Sequence, residues 1–427
     1  MGRATRSPYR FLLPLAFLGV LFSSSYGANW DDNSCVGCHT ELGDEYVVPV
    51  HGWRESSHAS AGVACEQCHG GNPSSWDVEE AMSEAKGFVG RPVGAEIVMI
   101  CGTCHADPER MRPYGIRTDQ LTFYRTSHHG KAVLKRRSTD AATCIDCHGS
   151  HRILSPSHPK SLVHHGNVPE TCAKCHADEA MMSKYNLPTD ALAEYKESHH
   201  GMLLYRDDNP LVPDCATCHG IHGATPPGVE DVSQVCGNCH GNTAESYAKS
   251  PHERARHFYG SPRCVDCHGN HRILFPSREL FTAEDGCASC HADDRGAEMA
   301  AAFYQELDHT ASSLEEAKAS LEDAPARLIY LDPFRERLRE ADSRLIEAGP
   351  VSHALDLDAL KKITSEATAI ADEVHHTIEG KKRELAVRKG AWFVVAFVAV
   401  LWVMFLILKL RQIPNPYEEP RGAEDER

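Results

Sequence analysis

Two long apolar runs stand near the two ends of the chain. The first, Phe11 to Phe22, follows Arg3, Arg6 and Arg10 and is followed by small and polar residues to Ala28. That layout predicts an export signal over residues 1–28, cut after Gly27 or Ala28. The second, Ala391 to Leu408, holds eighteen uncharged residues. As a helix it would be about 27 Å long, enough to cross a bilayer core, so a transmembrane helix is expected over 391–410. A buried core helix is the alternative.

Before that run, from Arg295 to Lys389, helix formers dominate. Helices are predicted over 297–322, ending near Pro325, and over 333–348, stopping at Gly349–Pro350. A third starts near Leu357 and runs on toward the membrane. Leu360, Ile363, Ala367, Ile370, Val374 and Ile378 recur at threes and fours and form an apolar seam. Residues 296–390 therefore read as a helical bundle or stalk, with pairing against another subunit as the rival. Between Asn29 and Cys290, Gly, Pro, Asn and Ser break up any period. Short helices and loops with almost no sheet are expected there. The fold class is mainly α with extensive loops.

Cysteine changes the picture. All eighteen cysteines fall in nine C-x-x-C-H motifs. The pairs are Cys35 and Cys38, Cys65 and Cys68, Cys101 and Cys104, Cys144 and Cys147, Cys172 and Cys175, Cys215 and Cys218, Cys236 and Cys239, Cys264 and Cys267, Cys287 and Cys290. Each is followed by a histidine: His39, His69, His105, His148, His176, His219, His240, His268 and His291. This is the attachment motif of c-type haem, two thioethers plus an axial imidazole. Zinc sites and disulfides do not require a histidine after every pair, and a redox C-x-x-C would sit beside a βαβ pattern that is not visible here. Nine covalently bound haems c are expected, in a haem-cored domain over 29–295 with no fold of its own without haem.

The motifs lie on an internal repeat. Cys101 to His151 and Cys172 to His222 match without a gap at a period of 71. The unit is a motif, an aromatic residue, a histidine five residues later, and a second motif. That slot holds His58, His129, His200, His252 and His309, after Trp53, Tyr124, Tyr195, Tyr247 and Tyr304. Three further histidines, His151, His222 and His271, stand in C-H-G-x-H. Residues three apart share one side of a turn, so each of these must reach a haem other than its neighbour's. These eight are candidate second axial ligands. In the first unit Asn72 replaces the C-H-G-x-H histidine, leaving the ninth ligand open among His51, His165, His375 and His376. His375 lies about 24 Å before the apolar run if the helix is straight, placed to clamp the bundle to a haem.

The formal net charge of −16 disfavours nucleic acid as a partner and suits basic redox carriers or simple solubility. Export plus one crossing puts the haem part in the periplasm, anchored in the inner membrane, with a cytoplasmic tail at 411–427. Lys381, Lys382, Arg383, Arg388 and Lys389 on the outer side run against the positive-inside rule. Haem attachment outside the bacterial cytoplasm outweighs them.

The runs Y-x-x-S-H-H-G and C-x-D-C-H-G-x-H-R-I-L, with G-F-V-G-R-P at Gly87–Pro92 and H-G-A-T-P-P-G-V at His222–Val229, resemble exported cytochrome c3-like multihaem proteins. That resemblance implies partnership with membrane b-type cytochromes or other quinol-oxidising subunits, the electrons leaving to soluble periplasmic carriers. The membrane-proximal helices are similar to those of hydroxylamine oxidoreductase and multihaem nitrite reductases. The latter use a C-x-x-C-K motif, which this chain lacks. Two functions follow: an electron conduit with no catalytic residue of its own, or reduction of nitrite, hydroxylamine or a sulfur oxyanion at one open haem.

Overall fold

In the computed structural model, residues 30–413 are described apart from 208, 227–228, 230, 260–261, 274, 276–279, 282–286 and 292–293. The expected signal segment and most of the 411–427 tail lie outside them. Helices, turns and loops make up the described residues, with no strand among them.

The motif helices are short because the sequence starts and stops them within a few residues. Asp214 caps Cys215–His219, its carboxylate accepting from Thr217 N at 2.8 Å while Thr217 Oγ1 accepts from Asp214 N at 3.3 Å. Thr143 and Asp146 do the same for Cys144–His148. The glycine after each of these motif histidines then ends the helix. Gly149, Gly220 and Gly269 have φ of 84°, 85° and 76°, and a Cβ on Gly220 would come 2.8 Å from the Thr225 carbonyl carbon. Only glycine makes this turn without strain.

The chain divides into two compact units, residues 1–181 with 222–224, and 182–221 with 225–427. The first holds the motifs beginning at Cys35, Cys65, Cys101, Cys144 and Cys172; the second holds those at Cys215, Cys236, Cys264 and Cys287.

In the second unit three long helices, Asp294–Glu322, Asp332–Ser352 and Leu357–Gln412, pack on one another. Their core contains Leu314, Ala317, Leu338, Ala341, Ile370, Val374 and Ile378, all buried. Leu360 joins Phe303 and Ala348 in a second cluster, with Ile363 half-buried against it. Burying one such leucine or isoleucine contributes about 1.5–3 kcal/mol. The predicted seam thus faces the partner helices of its own chain. The middle helix runs past Pro350 to Ser352, further than the Gly-Pro pair suggests. The Ser352 hydroxyl donates to Gly349 O at 2.7 Å and secures that last turn. Leu357–Gln412 is one continuous helix of 56 residues. Its apolar window has a mean hydropathy of 2.8 and is not buried at all, so the core-helix alternative finds no support and the helix is a candidate membrane span.

Candidate haem-binding sites

The slot histidines are aimed by a frame that repeats four times. Tyr124 Oη donates to Ala142 O at 2.7 Å and Tyr195 Oη to Pro213 O at 2.8 Å. Tyr247 Oη donates to Pro262 O, and Trp53 Nε1 to Val63 O at 2.8 Å. Every acceptor lies two residues before the first cysteine of the next motif. Three residues after each aromatic stands a serine. Ser127 and Ser198 accept from Gly130 N and Gly201 N, both at 2.9 Å, and Ser56 and Ser250 accept from Ala59 N at 3.1 Å and Glu253 N at 3.2 Å. The serine is therefore the N-cap of the turn that carries the histidine. A Cβ on Gly130 or Gly201 would sit 1.8 Å from the tyrosine carbonyl oxygen, so glycine is obligatory there.

The frame brings histidines opposite one another. His58 lies opposite His105 with ring centroids 6.0 Å apart, His129 opposite His176 at 6.0 Å, His200 opposite His240 at 6.3 Å and His252 opposite His291 at 5.9 Å. The C-H-G-x-H histidines do likewise. His151 faces His69 at 6.1 Å, His222 faces His148 at 6.2 Å and His271 faces His219 at 6.0 Å. An eighth pair, His268 with His353 at 6.0 Å, includes a residue that no repeat singled out.

These pairings obey one register. A slot histidine that follows an odd motif faces the motif two places ahead, as His58 after the first faces the third. A C-H-G-x-H histidine faces the motif two places back, as His151 after the fourth faces the second. The register accounts for two irregularities. Asn72 stands where a histidine would address a motif before the first; its amide bonds Glu80 instead, at 3.1 Å. His309 would address an eleventh motif, and none follows His291. His309 is exposed on the Asp294–Glu322 helix, where Leu307 replaces the capping serine and Tyr304 Oη turns to Asp308 at 3.1 Å. His375 is not brought to a motif histidine either. Its Nδ1 meets Ser320 Oγ at 2.7 Å and its ring meets His376. His39 of the first motif has Tyr46 as its ring contact, at 6.2 Å, and its Nδ1 meets Tyr46 O at 3.3 Å.

The H-R-I-L residues that follow two of the C-H-G-x-H histidines clasp slot segments. Arg152 pairs with Glu55 at 2.7 Å while Ser57 N donates to Ile153 O at 2.9 Å. Arg272 pairs with Glu197 at 2.8 Å while His199 N donates to Ile273 O at 2.8 Å. After the second motif the G-F-V-G-R-P loop takes over: Val89 N donates to His69 O at 2.9 Å and Gly90 O meets His69 Nδ1 at 2.9 Å.

No disulfide joins the eighteen cysteines, each of which is half-buried or exposed. Consecutive motifs place them side by side. The Cys101 thiol lies beside Cys144 and the Cys236 thiol beside Cys264. Burial and then the adjacent Cys35 push Cys65 up to about 11; burial and then Cys172 do the same to Cys147. Cys68 feels Cys104, Cys218 feels Cys239, and Cys267 feels Cys287. Within each unit the motifs therefore neighbour one another in chain order.

Cys38 departs from this arrangement. The sequence makes it an attachment thiol on the same footing as the rest. The structure instead leaves it half-buried on the Ser34–Leu42 helix, with Cys35 of its own motif as the neighbouring thiol. The physical reason is position. Cys35 makes the contact with the second motif, through Cys65, and no earlier motif exists to lie against Cys38.

Burial also disfavours the charged form of many of the facing imidazoles. It takes His148 down to about 4 and lowers His58, His105, His129, His151, His176, His200, His222, His252 and His268. Neutral imidazole is the form that binds a metal. An Nδ1 held by a carbonyl, as in His69, leaves Nε2 as the ligating atom.

The residues fit haem. Metal–nitrogen bonds of about 2 Å on each side, with ring centres about 1 Å further out, separate two axial imidazoles by about 6 Å. Apolar side chains such as Val48, Ile116, Leu211 and Ile221 are left exposed for a porphyrin to cover.

Comparison with known families agrees. Residues 57–177 and 208–292 match the family described as Cytochrome c3. Residues 24–70 match the one described as Cytochrome c554 and c-prime. No curated protein and no solved structure matches the chain. The protein is a multihaem c-type cytochrome with covalently bound haem c, an electron-transfer protein.

Proposed function

We propose that the chain carries nine haems c and serves as a membrane-anchored electron conduit. It takes electrons from a quinol-oxidising membrane partner with b-type haem and passes them to soluble periplasmic carriers. The eight facing histidine pairs carry this reading. An iron held by imidazole on both sides has no place for substrate and can only change its oxidation state. When bound, haem supplies that one-electron chemistry. The chain's own residues would fix each porphyrin through two thiols, bring imidazoles into facing pairs, and set consecutive attachment points side by side within each unit.

The export signal, the single apolar span and the attachment chemistry support a periplasmic haem part on an inner-membrane anchor. The c3-like resemblance supports the b-type partner. Purification in mild detergent, with haem counted by pyridine haemochrome, tests both points. Nine c-type haems per chain, with b-type haem in the complex, are expected. A smaller count would refute the stoichiometry, and loss of b-type haem would remove the quinol-oxidising partner.

One observation favours a second reading, reduction of nitrite, hydroxylamine or a sulfur oxyanion. Among the described residues the ring opposite His39 is a tyrosine and not a histidine. Electron paramagnetic resonance of the oxidised protein separates the two. Purely low-spin signals support the conduit alone. A high-spin signal that shifts with nitrite, and is lost when Cys35 and Cys38 are both replaced by alanine, would make the first haem a reaction site.

A further inference from the structure

We propose that His353 is the distal ligand of the haem attached at Cys264 and Cys267. The bundle that leads into the apolar span would then be fastened to the haem-bearing segment by an iron–nitrogen bond. This rests on the multihaem reading above. The His268–His353 separation of 6.0 Å, with ring planes 23° apart, falls within the 5.9–6.3 Å spread of the seven other pairs. His353 Nδ1 meets Gly349 O at 3.0 Å, which sets the tautomer and turns Nε2 outward as the ligating atom. Gly90 O does the same for His69 at 2.9 Å.

The register explains why this residue is needed. The second, fourth and sixth motifs each face a C-H-G-x-H histidine from two motifs further on. For the eighth that histidine would follow a tenth motif, and no motif follows Cys287–His291. His353, at the end of the Asp332–Ser352 helix, stands in for it. His353 N donates to Pro350 O at 3.1 Å, so the Gly349 carbonyl is open to Ser352 Oγ and the His353 ring. The helix C-terminus also carries partial negative charge, which favours the ferric over the ferrous iron beside it. Four residues on, Leu357 begins the helix that reaches the apolar span.

The test uses the full-length, haem-loaded protein in detergent, read by electron paramagnetic resonance and by haem count. In H353A one haem should turn from low-spin to high-spin at an unchanged haem count, while H309A and H375A leave the spectrum as it is. H353G should show the same change, and added imidazole should restore the low-spin signal, which a packing defect alone would not permit. An entirely low-spin H353A with full haem content would overturn the proposal, as would a high-spin haem in H309A or H375A instead. Wild-type protein without covalent haem would fail the multihaem reading itself, a separate result.

Discussion

Gly130 and Gly201 show how little freedom the ligand frames have. Each lies under a tyrosine carbonyl that a Cβ would strike at 1.8 Å. Replacing either by alanine should displace the adjoining histidine and destabilise the haem segment by about 1–3 kcal/mol. A lowered melting temperature together with one new high-spin haem would register it. Tyr124→Phe removes only the bond to Ala142 O and should cost about 1 kcal/mol with the spectrum intact; thermal melts followed at the haem absorbance would measure it. His129→Ala or His200→Ala should each leave one iron without its second imidazole, seen as a single high-spin haem. The aromatic-plus-five spacing is readable in the chain because four copies repeat it. Spacing alone does not register that Leu307 stands in the serine position before His309, where the structure sets no motif histidine opposite it. The motif pattern likewise treats Cys38 as one thiol among eighteen, since it carries no information about which motif lies next to which. His353 offers no signal at all: a single histidine beyond the last motif has no repeat mate, and its neighbour Pro350 reads only as a helix stop.

The three long helices follow from periodicity, since one apolar stripe at threes and fours has to be buried against something. What periodicity does not supply is the identity of that surface, which is Leu314, Ala317, Leu338 and Ala341 of the same chain. Leu314→Ala should therefore cost about 2–5 kcal/mol. The loss should appear as bundle unfolding in calorimetry and helix content, with the haem spectrum of the folded protein unchanged. The short motif helices are foreseeable only in outline. Their caps, such as Asp214 with Thr217, become visible once the C-x-x-C-H segment is known to be helical.

For the molecule as a whole, Ala391–Leu408 is the one apolar stretch among the described helices that is long enough to span a bilayer. A chain ending at Gly390 should leave the membrane fraction and keep its haem count, which fractionation and pyridine haemochrome would reveal. The helical class, the motifs and their repeat are open to direct reading. The two-motif register is not, because it links residues through space and not along the chain. If the chain is exported and loaded with haem as proposed, that register has a bearing on how it matures. Porphyrins at the third, fifth, seventh and ninth motifs would find their second imidazole already upstream, on chain that has emerged before them. Those at the second, fourth and sixth would wait until the segment two motifs later arrives. Completion would thus alternate between immediate and deferred, the earlier half of a nascent chain staying partly unfinished until the later half delivers its histidines.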